Sequence, residues 1–185
     1  PLLILDGDVV RRQYRDLAAA LPGVILHYAV KPLPHPDVLD ILFAEGANFD
    51  LATSGEIELA ASRGIPAHRC IHTHPIKRDK DIVDGLDFGL DTFVVDNPDE
   101  ILKFVPYRDA ARLMLRVSFR SPHAQVDLSR KFGCNPDQVL ELLGMARQLG
   151  VRIDGLCFHV GSQTLDPAQY VVAIERCGQL IEAAR

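Results

Sequence analysis

Three times in this chain an apolar run is followed by the same tetrapeptide pattern: Asn97-Pro98-Asp99-Glu100, Asn135-Pro136-Asp137-Gln138 and Asp166-Pro167-Ala168-Gln169. A pattern of this kind starts a helix. The first side-chain oxygen accepts a free backbone amide, the proline fits the first turn where no N–H is needed, and the Glu or Gln can reach back to the cap. Thr53-x-x-Glu56 has the same form after the apolar segment Ala47 to Ala52. Repeated strand–cap–helix units, with no Asn-Gly hairpin signal between strands, imply a parallel sheet with helices outside it.

In chain order, Pro1 to Asp6 reads as a short strand-like opening, with Asp8 as the cap of a helix Val9 to Leu21 whose apolar side is Val10, Tyr14, Leu17, Ala18 and Leu21. A strand over Val24 to Val30 ends at Lys31, where Pro32, Pro34 and Pro36 stop it, since proline offers no ladder donor. A helix over Pro36 to Ala44 stops at Gly46. Further strands are expected at Ala47–Ala52, Cys70–Thr73, Thr92–Val95, Leu113–Phe119 and Ile153–Val160, with a polar loop at His74–Arg78 and a long loop at Arg120–Cys134. That gives six βα units after the first helix. An open doubly wound sheet and a (β/α) barrel both fit such a series. The lack of a Gly-x-Gly-x-x-Gly turn counts against a dinucleotide fold. The fold expected for residues 1–185 is therefore α/β, a (β/α)8 TIM-type barrel present in part, with about six of the eight units such a barrel needs.

Charge and cysteine content narrow the function. A net charge of −5 argues against nucleic-acid binding by electrostatics. No apolar run approaches the ~18 residues of a membrane span, and no signal peptide is read at the start, so no membrane partner and a cytoplasmic location are expected. The four cysteines, Cys70, Cys134, Cys157 and Cys177, are widely spaced. They suggest reduced thiols and not a metal or disulfide framework.

Polar residues at the C-terminal ends of parallel strands share the face where barrels place their chemistry. Here those positions offer Lys31, Asp50, Arg116 and His159, with Ser162 just beyond. A lysine that ends an apolar run is expected to be desolvated, which lowers an amine's pKa and frees its lone pair for a carbonyl. With a carboxylate, a guanidinium and a flat imidazole, that lysine suits a carbonyl cofactor held as a Schiff base.

Tyr28-Ala29-Val30-Lys31, Phe49-Asp50-Leu51-Ala52-Thr53, Leu128-Ser129-Arg130-Lys131-Phe132-Gly133 and Phe158-His159-Val160-Gly161-Ser162-Gln163 together resemble the ordered signatures of the pyridoxal-phosphate-dependent decarboxylases of basic amino acids. This is the alanine-racemase-like class, with ornithine, lysine, arginine and diaminopimelate decarboxylases among its members. His74-Pro75-Ile76-Lys77 and Ser118-Phe119-Arg120 are most similar to the bacterial ornithine/lysine enzymes. The resemblance implies pyridoxal 5′-phosphate as cofactor and a homodimer that acts in polyamine synthesis by converting ornithine to putrescine or lysine to cadaverine. It implies catalytic roles for Lys31, as covalent anchor, and for His159, stacked on the pyridine ring. Ser162 would contact the phosphate, Asp50 and Arg116 would line the site, Glu56 would stand near it, and Lys131 would belong to the dimer interface. Diaminopimelate or arginine decarboxylase, an amino-acid racemase on the same fold, and an inactive decarboxylase-like binding protein are the alternatives.

Pro32-Leu33 departs from the Ala-Asn or Cys-Asn usual after the lysine. The family's glycine-rich phosphate turn and its β-rich C-terminal domain are expected to lie outside this sequence.

Overall fold

A computed structural model describes residues 2–120, 125–126 and 128–185 of the chain. It divides into two compact units, Pro1–Thr73 with Lys80–Asp91, and His74–Asp79 with Thr92–Arg185.

In the first unit the parallel strands β1 (His27–Ala29), β2 (Asn48–Leu51) and β3 (Cys70–His72) pair in that order. Helices α1 (Gly7–Ala20), α2 (Pro36–Ala44), α3 (Ser54–Ser62) and α4 (Asp79–Phe88) alternate with them. The local chemistry sets the boundaries. Pro36 occupies the first turn of α2 behind a cap in which the His35 ring accepts from the Asp37 amide at 3.3 Å. Thr53 Oγ1 accepts from the Glu56 amide at 3.3 Å and opens α3. The core of this unit is Leu39, Leu42, Phe49, Leu51, Ile57 and Ile65, all buried.

The second unit repeats the design with β4 (Thr92–Val95), β5 (Arg112–Arg116) and β6 (Arg152–Cys157), again parallel and sequential. Helices α5 (Pro98–Lys103), α6 (Val139–Gln148) and α7 (Ala168–Ala183) cover it. All three Pro-containing caps form. Asn97 accepts from the Glu100 amide at 3.0 Å, and Asp166 from the Ala168 amide at 3.0 Å. Asn135 and Gln138 close both arms of a capping box around a short 3-10 turn that leads into α6. Phe93 and Phe104, with ring centroids 5.1 Å apart, are fully buried, as are Leu113, Leu115 and Val139. Burying each such side chain contributes about 1.5–3 kcal/mol. The fold is the expected one: among the described residues each unit has three parallel strands, each followed by a helix or helical turn, the α/β series of a barrel present in part.

Several expectations need correction. Residues 2–6 form no strand, and Leu2, Leu3 and Ile4 are exposed (Pro1 lies outside the described residues). Asp6, not Asp8, caps α1, because its carboxylate accepts from the Asp8 and Val9 amides at 3.0 and 3.2 Å. β1 is only three residues long, and Val24 and Ile25 are exposed ahead of it. Apolar character there does not bring burial, since the ladder to β2 runs only from His27 to Ala29. β5 and β6 also stop short of Phe119 and Val160. Of the Arg120–Cys134 loop, residues 121–124 and 127 lie outside the described residues. Among the described residues, no helix is long and apolar enough to cross a membrane.

Candidate active site

The first unit carries Lys31, Asp50 and Glu56. Val30 is fully buried and its amide donates to the Asp50 carbonyl at 3.1 Å, which continues the β1–β2 register by one residue. Lys31 follows and is exposed. The expected desolvated lysine is thus corrected: the chain turns at once into the proline segment, and the buried position falls to Val30. Tyr28 closes that turn, its hydroxyl donating to the Leu33 carbonyl at 3.1 Å.

Asp50 is the third residue of β2, aligned with Ala29 of β1 and Ile71 of β3. Thr73 Oγ1 donates to its carboxylate at 2.6 Å, which holds the group at the strand end. Glu56 is buried, and its oxygens accept from the Ala52 amide at 2.8 Å and the Thr53 hydroxyl at 3.2 Å. It therefore braces the turn immediately after Asp50.

The second unit carries Arg116, Lys131, His159 and Ser162. Arg116 ends β5, aligned with Cys157 at the end of β6, and His159 stands two residues further on. The His159 ring is oriented by the backbone, because Nδ1 accepts the Gly161 amide at 2.8 Å. A nitrogen that accepts carries no proton, so a neutral ring holds its proton on Nε2. Packing around the ring, and then the Arg116 charge, hold its pKa below the usual histidine range. Gly161 is buried with φ +93°, a conformation other residues adopt at a cost. The Ser162 amide donates to the Val126 carbonyl at 3.0 Å and its carbonyl accepts from the Gln125 amide at 3.1 Å, which fixes where its hydroxyl is offered.

Residues beyond the expected set organise this half. Phe132 lies under the Arg116 guanidinium, 5.3 Å from the ring centroid, with the Lys131 amine at 4.9 Å and the His74 ring edge-on at 5.6 Å. Asp96, just past β4, accepts the Gly133 amide at 2.8 Å and so pins the Lys-Phe-Gly turn. Lys77 is buried against Glu100, Nζ to Oε2 3.2 Å. The capping pattern at Asn97 hides this last contact: Glu100 sits where a capping glutamate belongs but faces Lys77 and Lys103.

Residues 7–185 match the pyridoxal-binding domain of the pyridoxal-dependent decarboxylases. The chain is 33% identical to the lysine/ornithine decarboxylase of Selenomonas ruminantium over 184 residues, which is 100% of this chain and 47% of that protein. The crystal structure of the Vibrio vulnificus lysine/ornithine decarboxylase with putrescine superposes with a TM-score of 0.92 at 55% identity, covering 99% of this chain and 48% of that one. The arginine decarboxylase of Paramecium bursaria Chlorella virus superposes with a TM-score of 0.93 at 31% identity, covering 96% and 49%. The chain thus spans about half the length of the proteins it matches.

Proposed function

This chain belongs to the pyridoxal-dependent decarboxylases, as their pyridoxal-binding domain, and from that premise we propose that the protein binds pyridoxal 5′-phosphate and decarboxylates lysine or ornithine. The observation that carries the proposal is the same placement in each unit taken by itself, two chemically matched groups at the C-terminal ends of its own parallel strands. Lys31 lies two residues beyond β1, Asp50 in the last half of β2, Arg116 at the end of β5 and His159 two residues beyond β6.

The donor set fits the cofactor. Lys31 is an accessible primary amine, which an aldehyde requires. His159 presents an imidazole whose plane is set by Gly161 and which is held towards its neutral form, a surface suited to an aromatic ring. Ser162 offers a hydroxyl from a pinned backbone and is the candidate for the phosphate. Bound pyridoxal phosphate supplies the electron sink for the pair left when the carboxylate departs as CO₂. The chain's own contribution is orientation and charge. Asp50 and Arg116 are fixed carboxylate and guanidinium groups, and Glu56 keeps the turn after Asp50 in place.

In the same reading the protein is a cytoplasmic homodimer with Lys131, exposed on Phe132, near the subunit interface. The sequence holds part of the barrel, and the remaining units and the β-rich domain lie outside it; the half-length coverage of its relatives supports this. Arginine is the alternative substrate, supported by the 0.93 TM-score to the viral arginine decarboxylase, but at 31% identity against 55% for the lysine/ornithine enzyme.

Measuring CO₂ release from lysine, ornithine, arginine and diaminopimelate tests the assignment. Turnover of lysine and ornithine well above the other two is expected. Preference for arginine or diaminopimelate, or racemisation without CO₂, would replace it.

A further inference from the structure

Lys77 takes a charge into the interior. Its side chain has no exposure, and Nζ donates to the carbonyls of His74 at 3.1 Å, Pro75 at 3.1 Å and Val94 at 2.5 Å while facing Glu100 Oε2 at 3.2 Å. The Phe104 ring closes one side, 5.5 Å away. Glu100 is used in full: Oε2 also accepts the Lys77 amide at 3.2 Å, and Oε1 takes the Lys103 ammonium at 2.5 Å. Lys103 donates in turn to the Lys77 carbonyl at 2.6 Å. Lys77 is thus a cation in a cage of three carbonyls and one carboxylate, with Lys103 and Asp96 the other charges nearby.

A fold does not need such a cage to be stable, because apolar side chains of similar volume commonly serve as well. What the cage does enforce is the path of residues 74–77 across the end of β4. That path delivers His74 edge-on to Phe132, whose face carries the Arg116 guanidinium. Phe132 is fixed from its other side, since Gly133 donates to Asp96 and the Cys134 amide to the Arg116 carbonyl at 2.9 Å. Arg116 is aligned with Cys157, two residues before His159, and its charge adds to burial in holding the His159 pKa down. All of these residues belong to one compact unit.

We propose that Lys77 is a positioning residue for the decarboxylation site: its cage seats His74 on Phe132, and Phe132 seats Arg116 at the end of β5, aligned with the end of β6 that leads to His159. The step from Arg116 and His159 to catalysis rests on the function proposed above; the chain of contacts does not.

The test uses Lys77→Met and Phe132→Leu, singly and combined, in the protein with and without pyridoxal phosphate. Titration of His159 is followed by NMR with labelled histidine, assigned by His159→Gln, together with kcat and KM. Each single change should let Arg116 drift and move the His159 titration up towards the ordinary histidine value. It should also lower kcat by about 10- to 100-fold, with KM within about twofold. The combined variant should do no more than the larger single one, as coupled sites do. Lys77→Met leaves Glu100 buried without its partner, so Lys77→Met with Glu100→Gln is made as well, and the same His159 shift is expected from it. An unmoved His159 titration in folded variants overturns the proposal, as do single effects that simply add. If the unsubstituted protein binds no pyridoxal phosphate, the functional reading fails while the His159 titration still decides the role of Lys77.

Discussion

Lys31 stands exposed two residues beyond a three-residue strand, whereas Arg116 ends a five-residue strand over the Phe132 ring, whose turn Asp96 holds through the Gly133 amide. One ion pair from each unit shows the same difference. In the first, Arg15 grips Glu45 with two bonds, 2.6 and 2.8 Å, at the surface; in the second, Lys77 and Glu100 meet in the core. The contrast matches what the proposed function would ask of each half. An amine that must meet an aldehyde needs access. Groups that orient a ring or set a charge act through their fixed geometry, and that geometry must be built before a ligand arrives.

The largest effect is expected where access is the requirement. Lys31→Ala should abolish decarboxylation while leaving the denaturation midpoint nearly unchanged, because an exposed side chain supports little of the core. A large loss of stability would mean that the first half is built like the second. Next is Glu100→Ala, which strips a buried ammonium of its partner and should cost about 3–5 kcal/mol in denaturant unfolding. Gly133→Ala follows. Gly133 has φ +96°, and an added Cβ would lie 2.8 Å from the Ser118 nitrogen. A cost of about 1–3 kcal/mol, with a change in the aromatic near-UV signal as Phe132 shifts, is expected.

The pH dependence gives a smaller, distributed effect. Burial pushes the thiols of Cys70 and Cys157 up to about 12 and that of Cys134 up to about 11. Unfolded thiols ionise near 9. Their contribution to stability is therefore complete below about pH 9 and lost as the pH rises towards 11–12. Lys77 opposes this. Burial holds it down at about 8 against an ordinary 10.5, so the unfolded chain binds more protons across that window and stability rises there. Three thiols outweigh one amine, and the urea midpoint should fall between about pH 8 and 10.5, less so in Cys134→Ala and Cys157→Ala. The smallest effect belongs to the first unit's surface pair. Arg15→Ala should leave the midpoint within experimental scatter despite its two short bonds, since the Arg15 side chain is largely exposed and Arg11 remains beside Glu45.

How much of this was legible in the chain depended on how local the cause was. The caps at Asn97, Asn135 and Asp166 and the helix Pro36–Ala44 were readable because each rests on interactions within a few residues. The ordered motifs around Lys31, Asp50, Lys131 and His159 were readable as a resemblance, and the family match over residues 7–185 agrees with it. Burial was read less well. Val24 and Ile25 look like core and are exposed, while Lys77 looks like surface and is enclosed. Neither follows from neighbours in sequence, because burial depends on what packs against a segment. The Phe132 stack was out of reach for the same reason: His74, Arg116 and Phe132 meet only after the chain has folded.

The central claim, that Lys31 is the amine that holds the cofactor, is tested most directly by borohydride reduction of the protein in the presence of pyridoxal phosphate, followed by mapping of the pyridoxyl group. The account predicts one modified residue, Lys31, with the enclosed Lys77 unmarked. Stable attachment at another lysine, or none at all, would contradict it.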